Sequence, residues 1–126
     1  MAHHMTRGSM LVSLSLWLIL DIVAPAFLHA QDYPSDLDRG KALYTRLCQP
    51  CHGNKGDGQG PEAGSLATPP ADFHRVRSFL KSDEELLRTI EHGVVFSPMH
   101  AWRGQLTDEE MQDVLAYVRL LSQQGQ

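Results

Sequence analysis

Cys48-Gln49-Pro50-Cys51-His52 holds both cysteines of the chain, three positions apart, with a histidine directly after the second. On one turn of helix, two thiols so spaced reach the two vinyl groups of a single porphyrin. The imidazole that comes next lies beneath the ring, within reach of the iron, and the pattern is the attachment signature of a c-type haem. Cys48 and Cys51 are thus the candidate thioether residues and His52 the candidate proximal ligand of one covalently attached haem c. A structural zinc site wants four Cys or His ligands, usually as two separated pairs, and two cysteines cannot furnish it. A thioredoxin-like pair needs a βαβ setting, whereas helical periodicity and Gly/Pro loops flank this motif. An exposed redox dithiol remains the alternative.

A second chemically informative stretch is Val94-Val95-Phe96-Ser97-Pro98-Met99-His100-Ala101-Trp102. An iron held by His52 needs either a sixth partner or an open site, and Met99 sits on a proline-stiffened loop well downstream of the motif. A single methionine in a small domain more often fills core space. As a ligand, its soft, neutral sulfur favours ferrous iron and raises the reduction potential. His100 is the rival ligand, and His74 and His92 are further candidates. His92 stands at the C-terminus of an expected helix, where a surface histidine is favoured by the helix dipole.

Three helices separated by Gly/Pro loops must position these groups. The first runs from about Ser35 or Asp36 to Cys48, with Leu37, Gly40, Leu43, Tyr44 and Leu47 on one face. A glycine inside a helix costs about 1 kcal/mol against alanine, so Gly40 marks either a tolerated weak spot or a close backbone approach. The run from Gly53 to Ala71 is rich in glycine and proline and reads as a loop wrapped around something rigid. The second helix starts at Ser82 with a capping box to Glu85, turns Leu86, Leu87 and Ile90 inward and ends at Gly93. The last begins at Thr107 with Glu110 as capping partner and buries Met111, Val114, Leu115, Val118 and Leu121.

Residues 1–30 read as a secretory signal peptide. Arg7 gives a positive start, Leu11 to Leu20 an apolar core, and Ala24, Pro25, Ala26 and Ala30 a small-residue exit. His3 and His4 read as an added start-site remnant without function. An uncleaved anchor is the competing reading, but the apolar core is too short to span a bilayer and Asp21 would cost about 3 kcal/mol there. Cleavage after Ala30 leaves one small domain, residues 31–126, exported to the periplasm or another extracytoplasmic space; membrane association is expected only if the leader stays. A domain of that size gains much from a large apolar disc at its centre. Both cysteines would be consumed as thioethers, leaving no free thiol to oxidise outside the cytoplasm.

The chain carries 11 Lys+Arg against 15 Asp+Glu, a net charge of −4. That sign argues against nucleic-acid binding through phosphate contacts. Electrostatic steering on net charge alone would favour a basic patch on the partner.

Taken together, Gly40 and Tyr44, Cys48-x-x-Cys51-His52-Gly53, Gly60-Pro61, Pro69-Pro70-Ala71-Asp72-Phe73, Ser82 to Gly93, Pro98-Met99, and Leu106-Thr107 leading to Val114 and Tyr117 resemble the class I monohaem cytochromes c, the small bacterial type. The resemblance spans Asp36 to Ser122. It implies an all-α fold, a small cytochrome c fold of three main helices and Gly/Pro-rich loops around the haem, with Gly40 and Tyr44 crossing the last helix near Val114 and Tyr117. It further implies Met99 as distal ligand and the Pro61 carbonyl as acceptor of the His52 ring N–H. The chain departs from the family's common Met-Pro order, with Pro98 before Met99 and His100 after it.

In function, the resemblance implies an electron carrier rather than an enzyme, with a redox donor and acceptor as partners and the cytochrome c maturation machinery needed to attach the haem. The residues expected to border an exposed haem edge are Pro50, Ala63, Val95, Phe96, Pro98 and Ala101. The alternatives are a ligand-binding or peroxidase-like protein whose distal ligand leaves easily, and a small subunit docked on a dehydrogenase or reductase.

Overall fold

Asp36 caps the first helix with its own carboxylate, which accepts the N–H groups of Asp38 and Arg39 at 3.0 Å each. This computed structural model describes residues 34–125, so the expected leader lies outside the described residues. Helix α1 spans Leu37–Leu47 and buries Gly40, Leu43 and Tyr44, while Leu37, expected on the inner face, stays largely exposed. A single helical turn, α2 (Gln49–His52), comes directly after it, with Pro50 in its first turn, where no N–H is required. The chain then runs as loop, with one 3₁₀ turn (Ala63–Ser65), to the short α3 (Val76–Phe79), which sequence periodicity does not reveal. Helices α4 (Asp83–His92) and α5 (Asp108–Gln124) complete the fold. Among the described residues no β-strand forms; one isolated bridge joins Arg103 and Leu106.

Both expected capping boxes are present. Ser82 Oγ accepts the Glu85 N–H at 3.2 Å and Glu85 accepts the Ser82 N–H at 2.8 Å. Thr107 and Glu110 repeat the exchange at 3.2 and 2.9 Å. Four orphan donors are thus satisfied at two helix starts.

The core lies where α1 crosses α5. A Cβ on Gly40 would run into the Asp113 backbone, with its Cα 3.4 Å away, so glycine is there because two helices meet at backbone distance. Tyr44 packs on Tyr117 with ring centroids 5.3 Å apart. Leu43, Met111, Val114, Leu115, Val118 and Leu121 close around them, and Ile90 brings α4 into the same cluster. Asp113 is completely buried at this crossing. Its carboxylate accepts the Asp36 N–H at 2.7 Å and pairs with the Arg39 guanidinium, so the start of α1 is tied to the middle of α5. On the other side Arg119 of α5 reaches Asp83 at 2.6 Å and the carbonyls of Phe79 and Lys81, fixing the start of α4.

Candidate functional site

The break between α1 and α2 presents the motif. Cys48 caps α1, donating its N–H to the Tyr44 carbonyl, and its own carbonyl accepts the His52 N–H at 2.8 Å. Cys48, Cys51 and His52 therefore share one turn, and all three line a cleft of about 1220 Å³. Pockets for small ligands run to roughly 300–1,000 Å³, so this one suits a large occupant. Leu86 and Ile90 of α4 and Val118 of α5 contribute apolar lining, as do Leu47, Phe73 and Trp102.

Burial, and then the neighbouring Cys51, push the Cys48 thiol up to about 12. Cys51 is raised as well, by burial and by the Glu62 carboxylate, whose Oε2 lies 3.8 Å from its sulfur. A working redox dithiol needs a lowered thiol pKa, so the pair does not have the character of one. Among the described residues no group of three or more His, Cys, Asp or Glu side chains is placed to hold a bare metal ion.

His52 is held from two directions. Its Nδ1 lies 3.1 Å from the Ala71 carbonyl, and its ring stacks on Phe73 with centroids 4.9 Å apart and planes 23° from parallel. A carbonyl can only accept, so Nδ1 carries the proton and Nε2 keeps its lone pair. Burial lowers the His52 pKa, outweighing the opposing Ala71 hydrogen bond, and so favours the neutral imidazole that can coordinate a metal. Phe73 packs in turn against Tyr44, centroids 6.4 Å apart, and Tyr44 donates its hydroxyl to the Gly53 carbonyl at 2.7 Å. The helix crossing thereby braces the residue after the histidine.

The carbonyl facing His52 belongs to Ala71, which corrects the assignment to Pro61. Gly60 donates its N–H to Cys51 O at 3.1 Å and Glu62 donates to Pro50 O at 2.9 Å, so residues 60–62 run against the backbone of α2. Pro61 is left exposed and does not line the cleft. The loop returns along Pro69-Pro70-Ala71, all cleft-lining, with the Phe73 N–H anchored on Gly56 O at 2.8 Å. Two prolines without N–H groups stiffen that return, and they were the one signal for it in the sequence.

Met99 also lines the cleft, on a loop closed by its own hydrogen bonds. The Val94 N–H donates to Met99 O at 2.8 Å, the Ser97 N–H to Val94 O at 3.1 Å, and the Met99 N–H to Ser97 Oγ at 3.0 Å. Gly93, at φ 70°, lies so close beneath that a Cβ would stand 2.5 Å from Met99 O and 2.7 Å from the His100 carbonyl carbon. His100 lines the cleft too, its ring tilted against Trp102 with centroids 4.4 Å apart. His74 and His92 do not line it: His74 lies 3.5 Å from Asp72, and His92 faces Glu91 at 3.3 Å. One cleft thus gathers Cys48, Cys51, His52, Met99 and His100. Two thiols on one turn, a neutral imidazole and a thioether around apolar walls form a donor set that fits a covalently bound porphyrin.

Residues 35–118 match the family described as cytochrome c oxidase, cbb3-type, subunit III. Cytochrome c6 of Parathermosynechococcus lividus is 32% identical over 85 residues, covering 67% of this chain and 88% of that protein. Cytochrome c6 of Synechococcus elongatus is 29% identical with the same coverage. Among solved structures, the Kuenenia stuttgartiensis reducing HAO-like protein complex Kustc0457/Kustc0458 aligns with a TM-score of 0.60 at 30% identity over 67% of this chain, which spans 41% of that one. The KustC0563 c-type cytochrome aligns with a TM-score of 0.55 at 26% identity, covering 65% of this chain and 95% of that one.

Proposed function

Because the chain belongs to the family of cytochrome c oxidase, cbb3-type, subunit III, and has the small helical cytochrome c fold, we propose that it is a one-electron carrier with a single haem c, bound through Cys48 and Cys51 and ligated by His52 and Met99. The observation that carries this reading is the cleft, which Cys48, Cys51, His52 and Met99 all line. The haem, when bound, supplies an iron that takes up and releases one electron. Ala71 holds the His52 ring in the tautomer whose Nε2 donates, Phe73 keeps that ring from turning, and the hydrogen-bonded loop 94–99 limits where the Met99 sulfur can go. Two protein ligands leave no position for a substrate, so this is a carrier rather than an enzyme.

We further propose that residues 1–30 direct export and are removed, so that the domain of residues 31–126 works outside the cytoplasm after the maturation machinery has attached the haem. The domain suits exchange with a separate redox donor and acceptor. Service as a subunit of an oxidoreductase is the second reading, favoured by the likeness to a chain of a larger complex.

Absorption spectra of the purified ferric and ferrous protein, with and without CO, test the reading. Colour that survives acid-acetone extraction, a haem's mass on the chain and ferrous spectra indifferent to CO are expected. Extractable colour overturns covalent attachment; ready CO binding turns the reading to a ligand-binding or peroxidase-like protein with a labile sixth ligand.

A further inference from the structure

Six of the exposed large apolar side chains, Val76, Phe79, Leu80, Val94, Val95 and Phe96, fall in just two short segments. Both segments border the cleft: Val76 and Val94 line it and would face the haem, whereas Phe79, Leu80, Val95 and Phe96 do not line it. Of those outside it, Leu80 is 74% and Val95 80% exposed, and Phe96 is fully exposed. Phe96 also has φ 59°, a left-handed conformation that bulky side chains rarely adopt. Among the described residues nothing packs on its ring in return. Exposed apolar groups gathered at one place on a small monomer mark a contact surface.

The charges at the cleft identify the partner. Arg75 is answered by Asp72 at 3.3 Å. Arg77 and Lys81 also line the cleft, and neither has an ion pair among the described residues. Against them stands Asp57, whose Oδ1 accepts the Gln59 N–H at 3.0 Å. The cleft's own side chains thus carry one more cation than carboxylates, before any haem propionate is counted, although the whole chain carries −4.

We propose that the cleft mouth docks a redox protein whose contact face is apolar at its centre and acidic at its rim, with Phe96 as the apolar anchor and Arg77 and Lys81 as the steering charges. A basic partner, which the net charge alone would favour, meets like charge here. The proposal rests on the cleft being the haem site.

The test uses the haem-loaded ferrous protein and two small oxidants of opposite sign, hexacyanoferrate(III) and tris(phenanthroline)cobalt(III). Each takes one electron, leaving ferric haem and a reduced metal complex; no bond forms or breaks and no proton moves. Rates with the anionic oxidant should fall about threefold or more between low and high salt, the direction of local attraction, while rates with the cationic one should not. The double variant Arg77→Gln/Lys81→Gln should flatten or reverse the slope with the anion. A rate that rises with salt in the parent, as a charge of −4 dictates, overturns the proposal. So does an unchanged slope in the double variant, the result expected if both cations are spent on haem propionates.

Phe96→Ser should slow electron transfer to an acidic blue-copper protein severalfold while the hexacyanoferrate rate and the haem spectrum stay put. Equal rates to the copper protein overturn the anchor. Phe96-dependent binding to phosphatidylglycerol vesicles, or Phe96-dependent self-association in sedimentation, reassigns the face to a membrane or a second copy and overturns the partner. A purified chain without haem absorbance overturns the functional reading and this proposal together; a wrong salt slope in a chain that carries haem overturns the docking face alone.

Discussion

His52 is oriented by a backbone carbonyl and an aromatic face, whereas Met99 is oriented by the hydrogen bonds of its own loop, and the two sides should respond differently to substitution. Met99→Ala should open the iron to CO and lower the reduction potential, while His100→Ala should leave both nearly unchanged, because its ring is tilted against Trp102. Bis-histidine ligation would give the reverse, and CO titration with potentiometry distinguishes them. Gly93→Ala puts a methyl group 2.5 Å from Met99 O at a φ that disfavours any side chain. Strain of that kind is worth about 1–3 kcal/mol, so CO should displace the sulfur roughly tenfold or more readily than in the parent. The motif residues were legible because their chemistry is written in side chains. The Ala71 carbonyl was not, since any residue offers one and only the path of the chain decides which carbonyl faces the ring. Pro61 is near in sequence but is carried to the surface by the pairing of residues 60–62 with α2.

At the level of helices, the two capping boxes and the glycine contact were readable because each leaves a spaced pair or an improbable residue in the sequence. Gly40→Val would drive branched bulk into the Asp113 backbone, so a loss of about 1–3 kcal/mol is expected, read as a lower urea midpoint with the haem spectrum retained. Glu85 is a finer probe. Hydrogen bonding from Ser82 holds its carboxyl below the usual range, so its stabilising effect is present above the ordinary carboxylate value of about 4.3 and is lost as pH falls through the depressed value. Glu85→Gln should therefore be less stable than the parent near neutral pH, with the gap closing in acid; paired urea titrations at the two pH values measure it. What the helical pattern hid was Asp113, an acidic residue that ordinarily reads as solvated yet is completely buried against Asp36 and Arg39. The short α3 was hidden too, because four residues give periodicity nothing to act on.

Across the described molecule, α1 and α5 pack directly on each other and α4 joins their core through Ile90, whereas the long loop and the loop carrying Met99 line a cleft. Chain produced without haem attachment should keep the α1–α5 contact and α4 packed on it but lose order in residues 53–81 and 93–101. Hydrogen exchange should show protection retained around Leu43, Val114 and Ile90 and lost around Gly58 and Val94. Uniform protection would mean the cleft is self-supporting. The loop that carries Met99 adds one further consequence. Its closing bonds run through the backbones of Val94, Ser97 and Met99 and the Ser97 hydroxyl, and neither Val95 nor Phe96 takes part in them. Mutation can therefore explore the tip of this loop without removing the hydrogen bonds that hold the Met99 backbone. Under the proposed ligation and docking, lineages descending from such a chain are free to exchange one customer for another while the iron keeps its ligand.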